Sequence, residues 1–115
     1  MEAVTKRRKS KGGKAAERWL ILNAFVDFTA CELKRSELLV WLTIFRDSKD
    51  GIASSSQRDI ARRTGLARKT VERSIASLSE CGLLLVVYPG GYRRGTAKYR
   101  TRPVTKEKLE ELKSA

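Results

Sequence analysis

The sequence predicts a mainly α domain with a small β-hairpin, an α+β fold built on a three-helix core. Three observations carry this. Residues 58–78, RDIARRTGLARKTVERSIASL, read as helix, short turn and helix. Residues 35–46 place Leu38, Leu39, Trp41, Leu42 and Phe45 on one broad helical face, with Ile44 alongside. Residues 83–88, LLLVVY, form a continuous β-branched apolar run, and after PGG the alternating AKYRTR can return beside it.

The elements follow in order. Residues 1–14 hold Lys, Arg, Gly and Ser with little apolar content, and are expected to be a disordered basic tail. The domain is expected over 15–103. Its first segment stays open between a short turn capped by Asn23, running from Ala24 to Phe28, and one helix from Ala15. The firm helix at 35–46 ends at the turn residues SKDG, 48–51. Ile52 and Ala53 suit a short strand. The serine run 54–56 supplies an N-cap for a helix over 57–64, and Gly65 closes it in a left-handed conformation. The next helix is expected over 68–80, ended by Gly82. Pro103 stops the returning strand. Residues 104–115 form a short C-terminal helix or tail, with only Leu109 and Leu112 to dock it.

Charge points to the partner. The 115 residues carry 25 Lys and Arg against 13 Asp and Glu, a net +12, which favours a polyanion. Seventeen of the 25 lie within 6–14, 58–73 and 93–102, where Asp59 and Glu72 are the only acids. A merely solvated surface would interleave the two signs, so this clustering reads as a nucleic-acid footprint.

Other classes find little support. There is no His, and Cys31 and Cys81 stand fifty residues apart without neighbouring ligands, so no metal or other cofactor is expected. Both cysteines read as small apolar fillers suited to a reducing cytoplasm; a disulfide would need the fold to join them. No nucleophile has a base, and no phosphate-cradling loop is present, so an enzyme is not expected. The run WLILNAFVDF before Cys31 imitates an export signal, but Asn23 and Asp27 break it. No stretch approaches the roughly 20 residues of a membrane span. No small-molecule ligand is evident, and a homodimer is compatible with the chain.

Helix, short strand, helix, turn, helix and hairpin is the order of a winged helix. The stretch GIASSSQRDIARRTGLARKTVERSIASLSECGLL, within residues 33–102, resembles the winged-helix domains of bacterial, plasmid and phage replication-initiation and regulatory proteins. It is more loosely similar to GntR-type and MarR-type domains. The resemblance implies a winged helix-turn-helix that binds double-stranded DNA, as a transcription regulator or a replication-type factor in the cytoplasm. One departure is Ala67, where such domains usually place a capping Ser; the loss costs about 1 kcal/mol of helix stability.

Candidate contacts can then be assigned. Arg68, Lys69, Thr70 and Arg73 start the second helix opposite the inward Val71, and are expected to meet bases. Glu72 is expected to pair with Arg68. Ser55, Ser56 and Arg58, with Ser54 beside them, sit where free helix N–H groups meet phosphates. Tyr92, Arg93, Arg94 and Lys98 belong to a flexible, glycine-rich wing suited to the minor groove, with Tyr88 and Tyr99 packed beneath it. Lys6, Arg7, Arg8, Lys9, Lys11 and Lys14 give the tail its phosphate affinity. Two other readings use the same features: a basic winged helix on RNA or the ribosome, and a protein-interaction module.

Overall fold

A computed structural model describes the backbone of residues 2–91 and 93–114, with side chains from residue 14. Five helices and three strands follow the chain: α1 (Glu2–Phe28), a 3-10 turn (Ala30–Glu32), α2 (Arg35–Asp47), β1 (Ala53–Ser54), α3 (Gln57–Thr64), α4 (Arg68–Glu80), β2 (Leu84–Tyr88), β3 (Lys98–Thr101) and α5 (Lys106–Ser114). The strands form one antiparallel sheet in the order β1-β3-β2.

The core explains why α2 is central. Trp41 is fully buried between two other rings, 3.6 Å from Phe25 of α1 and 5.1 Å from Phe45, both stacked. Its indole N–H donates to the carbonyls of Leu83 and Arg102, each at 3.1 Å, so the same ring that fills the core also ties down both strands of the hairpin. Val40 and Ile44 of α2, Ile60 of α3, and Val71, Ile75 and Leu78 of α4 complete the three-helix centre. Leu83, Leu84 and Tyr99 close it from the sheet side.

Local signals act as the sequence predicts at most boundaries. The Ser56 hydroxyl accepts from the Asp59 N–H at 3.1 Å and caps α3. Gly65 ends that helix at φ +76°, where a Cβ would strain the backbone. Ala67 begins α4 without a side-chain cap. The β1 strand is Ala53–Ser54 rather than Ile52 and Ala53, because Ala53 and Ser54 pair with Tyr99 and Lys98, while Ile52 bridges back to Lys49 within the turn.

The N-terminal segment takes the second of its two expected forms, one helix through residues 15–28, and continues it upstream. A single 27-residue helix replaces both the short capped turn and the expected disordered tail. Asn23 is an exposed mid-helix residue, because Ile21, Leu22 and Phe25 all need one continuous face against the core. Once that face is docked, helix extends upstream at one hydrogen bond per residue without a new nucleus. Arg18 anchors it: its guanidinium donates to the carbonyls of Phe45 and Ser48 at 3.1 and 3.0 Å and lies 4.6 Å over the Phe45 ring. It thereby adds a cationic donor to the C-terminus of α2, where the Ser48 N–H and hydroxyl also donate to the Phe45 carbonyl at 3.1 and 2.6 Å.

Cys31 and Cys81 are both free. Residues 104–115 contain a true helix, α5, whose N-terminus is held by the Thr105 hydroxyl accepting from the Lys108 N–H at 3.1 Å. Among the described residues no helix is long and apolar enough to cross a membrane, and no group of three His, Cys, Asp or Glu is placed to hold a metal ion.

Candidate nucleic-acid interface

Helix α4 turns Val71, Ser74, Ile75 and Leu78 into the core and leaves Arg68, Lys69, Glu72 and Arg73 exposed, with Thr70 half-buried. The inward stripe follows the i, i+4, i+7 rule, so the outward placement of Lys69 and Arg73 is a consequence of burying Val71 and Leu78. Neither cation, nor Arg68, takes part in an ion pair among the described residues. The expected Arg68–Glu72 pair does not form. An arginine four residues before a glutamate is the poorer order for such pairs, since each charge then faces the wrong end of the helix dipole. The outer face of α4 thus presents uncommitted positive charge.

The strand register brings the start of α3 to the wing. Ser54 lies opposite Lys98, and the Ser55 N–H donates to the Ala97 carbonyl at 3.0 Å. Ser56, Arg58 and Lys98 are exposed in this neighbourhood. Ser55 is a correction to the sequence reading. It is buried and its hydroxyl donates to Asp47 at 3.2 Å, so it serves the fold rather than a phosphate. Alternation along the short strand turns it inward while its neighbours stay outside.

Two further cations are committed internally. Arg62 pairs with Asp59 at 2.6 Å, while Arg63 pairs with Asp47 and, at 3.0 Å, with Asp59. The hydrogen bond from Arg63 holds the Asp47 carboxyl below its ordinary range, and Arg62 does the same to Asp59. Asp47 in turn raises the Arg63 guanidinium. Asp47 is the residue that sequence reading missed. It joins α2, the β1–α3 junction and α3, and its only signal was an acid at the end of a helix otherwise rich in apolar residues. Lys14, assigned to a phosphate-seeking tail, pairs with Asp50 at 2.8 Å, which raises the lysine and lowers the carboxyl. The side chains of Lys6, Arg7, Arg8, Lys9 and Lys11 lie outside the described residues.

The wing loop is braced by its own hydrogen bonds. The Gly91 N–H donates to Gly95 at 3.3 Å, the Arg94 N–H to Gly91 at 3.0 Å, and the Tyr88 hydroxyl to the Arg94 carbonyl. Gly90 is required here, because a Cβ would sit 2.7 Å from the Ala97 nitrogen at a φ of +66°. Arg93 holds a left-handed φ of +62° and, like Arg94, is exposed. Tyr92 lies outside the described residues. Tyr99 is buried beneath the sheet as expected; Tyr88 instead braces the loop from its exposed side.

Three helices, the α3–α4 turn and a three-stranded sheet with its hairpin loop form the architecture of a winged helix-turn-helix domain. Residues 32–84 match the family model of a helix-turn-helix domain, from the 3-10 turn to the first residue of β2. No curated protein matches the chain. Among solved structures, one is described as a possible transcriptional regulator from Methanosarcina mazei Go1: TM-score 0.46, 15% identity, covering 80% of this chain and 69% of that one. Another is Bordetella bronchiseptica BpsR, studied for regulation of its DNA binding by 6-hydroxynicotinic acid: TM-score 0.46, 21% identity, covering 91% of this chain and 76% of that one.

Proposed function

We propose that this protein binds double-stranded DNA at a specific sequence, as a transcription regulator or a replication-type factor acting in the cytoplasm on the nucleoid. It acts by binding, not by catalysis. The supporting observation is the division of α4: an inner face locked in the core, and an outer face whose Arg68, Lys69 and Arg73 carry no acidic partner among the described residues. A helix held this rigidly presents its side chains to a groove without first having to order itself.

Roles follow from side-chain chemistry. Arg68 and Arg73 can each give guanine O6 and N7 two hydrogen bonds, Lys69 can reach the same acceptors, and Thr70 suits a thymine methyl or a phosphate. Ser56 caps α3 as an acceptor, which leaves its hydroxyl proton for a phosphate beside Arg58. Arg93, Arg94 and Lys98 place the wing on the backbone or along the minor groove.

Filter binding of a random duplex library against structured RNA tests this reading. The expected result is a selected duplex site whose log K falls against log salt with a slope near −5, as about six neutralised phosphates require. Equal or better affinity for structured RNA would favour an RNA-bound winged helix, and a slope near zero would leave only a protein partner.

A further inference from the structure

The basic outer face of α4 carries one acid to which the fold gives no role. Asp59 and Glu72 are the two acids within residues 58–73. Asp59 pairs with Arg62 and Arg63. Glu72 is exposed and takes part in no ion pair or hydrogen bond among the described residues, although Arg68 and Lys69 stand four and three positions before it. It lies beyond the first turn of α4, so it neither caps the helix nor meets its N-terminal dipole. Its neighbours fix its place around the helix. At 100° per residue, the exposed residues between 68 and 77 run in the order Arg68, Glu72, Ala76, Lys69, Arg73 and Ser77. The Ser77 hydroxyl donates to Glu37 of α2 at 2.6 Å, which closes that edge of the arc. Glu72 therefore stands inside the open sector, between Arg68 and Lys69, with the small Ala76 one turn further on.

We propose that Glu72 is a specificity-determining residue that reads cytosine, its carboxylate accepting a hydrogen bond from the N4 amine in the major groove. The proposal rests on the DNA-binding reading above and adds which base pair the helix selects. A bare carboxylate on a surface that meets DNA repels the phosphates of every sequence alike. That repulsion is offset where the groove offers the carboxylate a donor. Cytosine offers N4 and adenine offers N6. Adenine sets its N7 acceptor beside N6, which repels a carboxylate, whereas cytosine carries no acceptor on its own groove edge. Thymine O4 and guanine O6 and N7 are acceptors, so the charge that accepts from cytosine also rejects them. Arg68 and Lys69, on either side of Glu72, can donate to O6 and N7 of the paired guanine. One C·G pair is then read along both of its edges, the acid on cytosine and a cation on guanine.

Site selection from a random duplex library, run on the full chain and on its Glu72→Ala and Glu72→Gln variants, tests this. The wild type is expected to prefer C·G at one position by about 10-fold over the other pairs, the scale of a single base contact. Glu72→Ala is expected to flatten that position and to raise affinity for unrelated duplex, because one repulsive charge is gone. Glu72→Gln is expected to move the preference to adenine, since an amide meets N6 and N7 with two hydrogen bonds. N4-methylcytosine at the selected position keeps the base pair but replaces the amine hydrogen that faces the groove. It should weaken the wild type and leave Glu72→Ala unaffected. Circular dichroism melting should match in all three chains, because Glu72 lies outside the core. A selected site whose base preferences are unchanged in Glu72→Ala overturns the proposal and leaves the DNA-binding reading standing. An equal response of both chains to N4-methylcytosine does the same. A wild type that selects no duplex at all overturns that reading, and this proposal with it.

Discussion

Helices α1 and α4 are both surface helices that turn one apolar stripe into the same core, and their outward faces differ in kind. The exterior of α4 shows Arg68, Lys69 and Arg73, all exposed, and that of α1 shows Trp19, Leu20 and Val26. Inward packing is interchangeable chemistry, since any well-shaped apolar residue serves there. The outward residues are under no such constraint from the fold. They are therefore set by whatever each helix meets, and they differ: cationic on α4, apolar on α1. Arg62 and Arg63 sharpen the contrast, because they are as basic as Arg73 yet are spent on Asp59 and Asp47.

The largest expected effect tests the inward face of α4. Val71→Asp places a carboxylate where the residue is fully buried, and is expected to cost on the order of 4 kcal/mol or more, abolishing cooperative thermal unfolding. A cooperative melt near the wild-type temperature would show that α4 is rotated from its assigned position.

The outward face is tested next. Lys69→Ala or Arg73→Ala is expected to leave the melting temperature nearly unchanged, to cost about 1–3 kcal/mol on the best site, and to relax preference at one base position. The pair Arg93→Ala with Arg94→Ala is expected to lower affinity on all duplexes alike and to make the salt slope shallower. Competition titrations across single-base variants of the site separate the two patterns. If the recognition-helix variants also weaken every sequence equally, α4 reads only the backbone.

A smaller effect distinguishes committed from uncommitted cations. Asp47→Asn removes the anion that Arg63 and Ser55 share, and is expected to cost about 1–2 kcal/mol in denaturant unfolding. The folded pKa of Asp47 lies below its unfolded value. The pair therefore stabilises the fold above the ordinary carboxylate range, and that contribution is lost as pH falls through the depressed pKa. Wild type and Asp47→Asn should converge in stability under acid and differ most near neutral pH.

The smallest effect on stability is expected from removing residues 1–14. Phe25 and Arg18 still dock the rest of α1, and the lost Lys14–Asp50 pair lies in open solvent. Specific and non-specific duplex affinities should fall by similar factors in filter binding. A drop in melting temperature of more than a few degrees would mean that the basic half of α1 supports the fold.

Local chemistry made much of this legible in advance. Helical periodicity is written into neighbouring residues, so the spacing of Val71, Ile75 and Leu78 already placed Lys69 and Arg73 outside. Ser56 and Gly65 mark the ends of α3 by their own hydrogen-bonding and backbone preferences. The apolar run 83–88 and the alternation after it announced the hairpin. What the residue order could not settle are pairings between groups far apart in the chain. Arg18 reaches Phe45 and Ser48, Arg63 reaches Asp47, and Trp41 reaches the carbonyls of Leu83 and Arg102. Ser55 and Ser56 are the same residue type one position apart, yet one is buried in the fold and the other remains at the surface. Nothing local separates them, because a hydroxyl is equally at home in either place. Only the docking of β1 on β3, with Asp47 waiting at the end of α2, turned one inward and left the other to water.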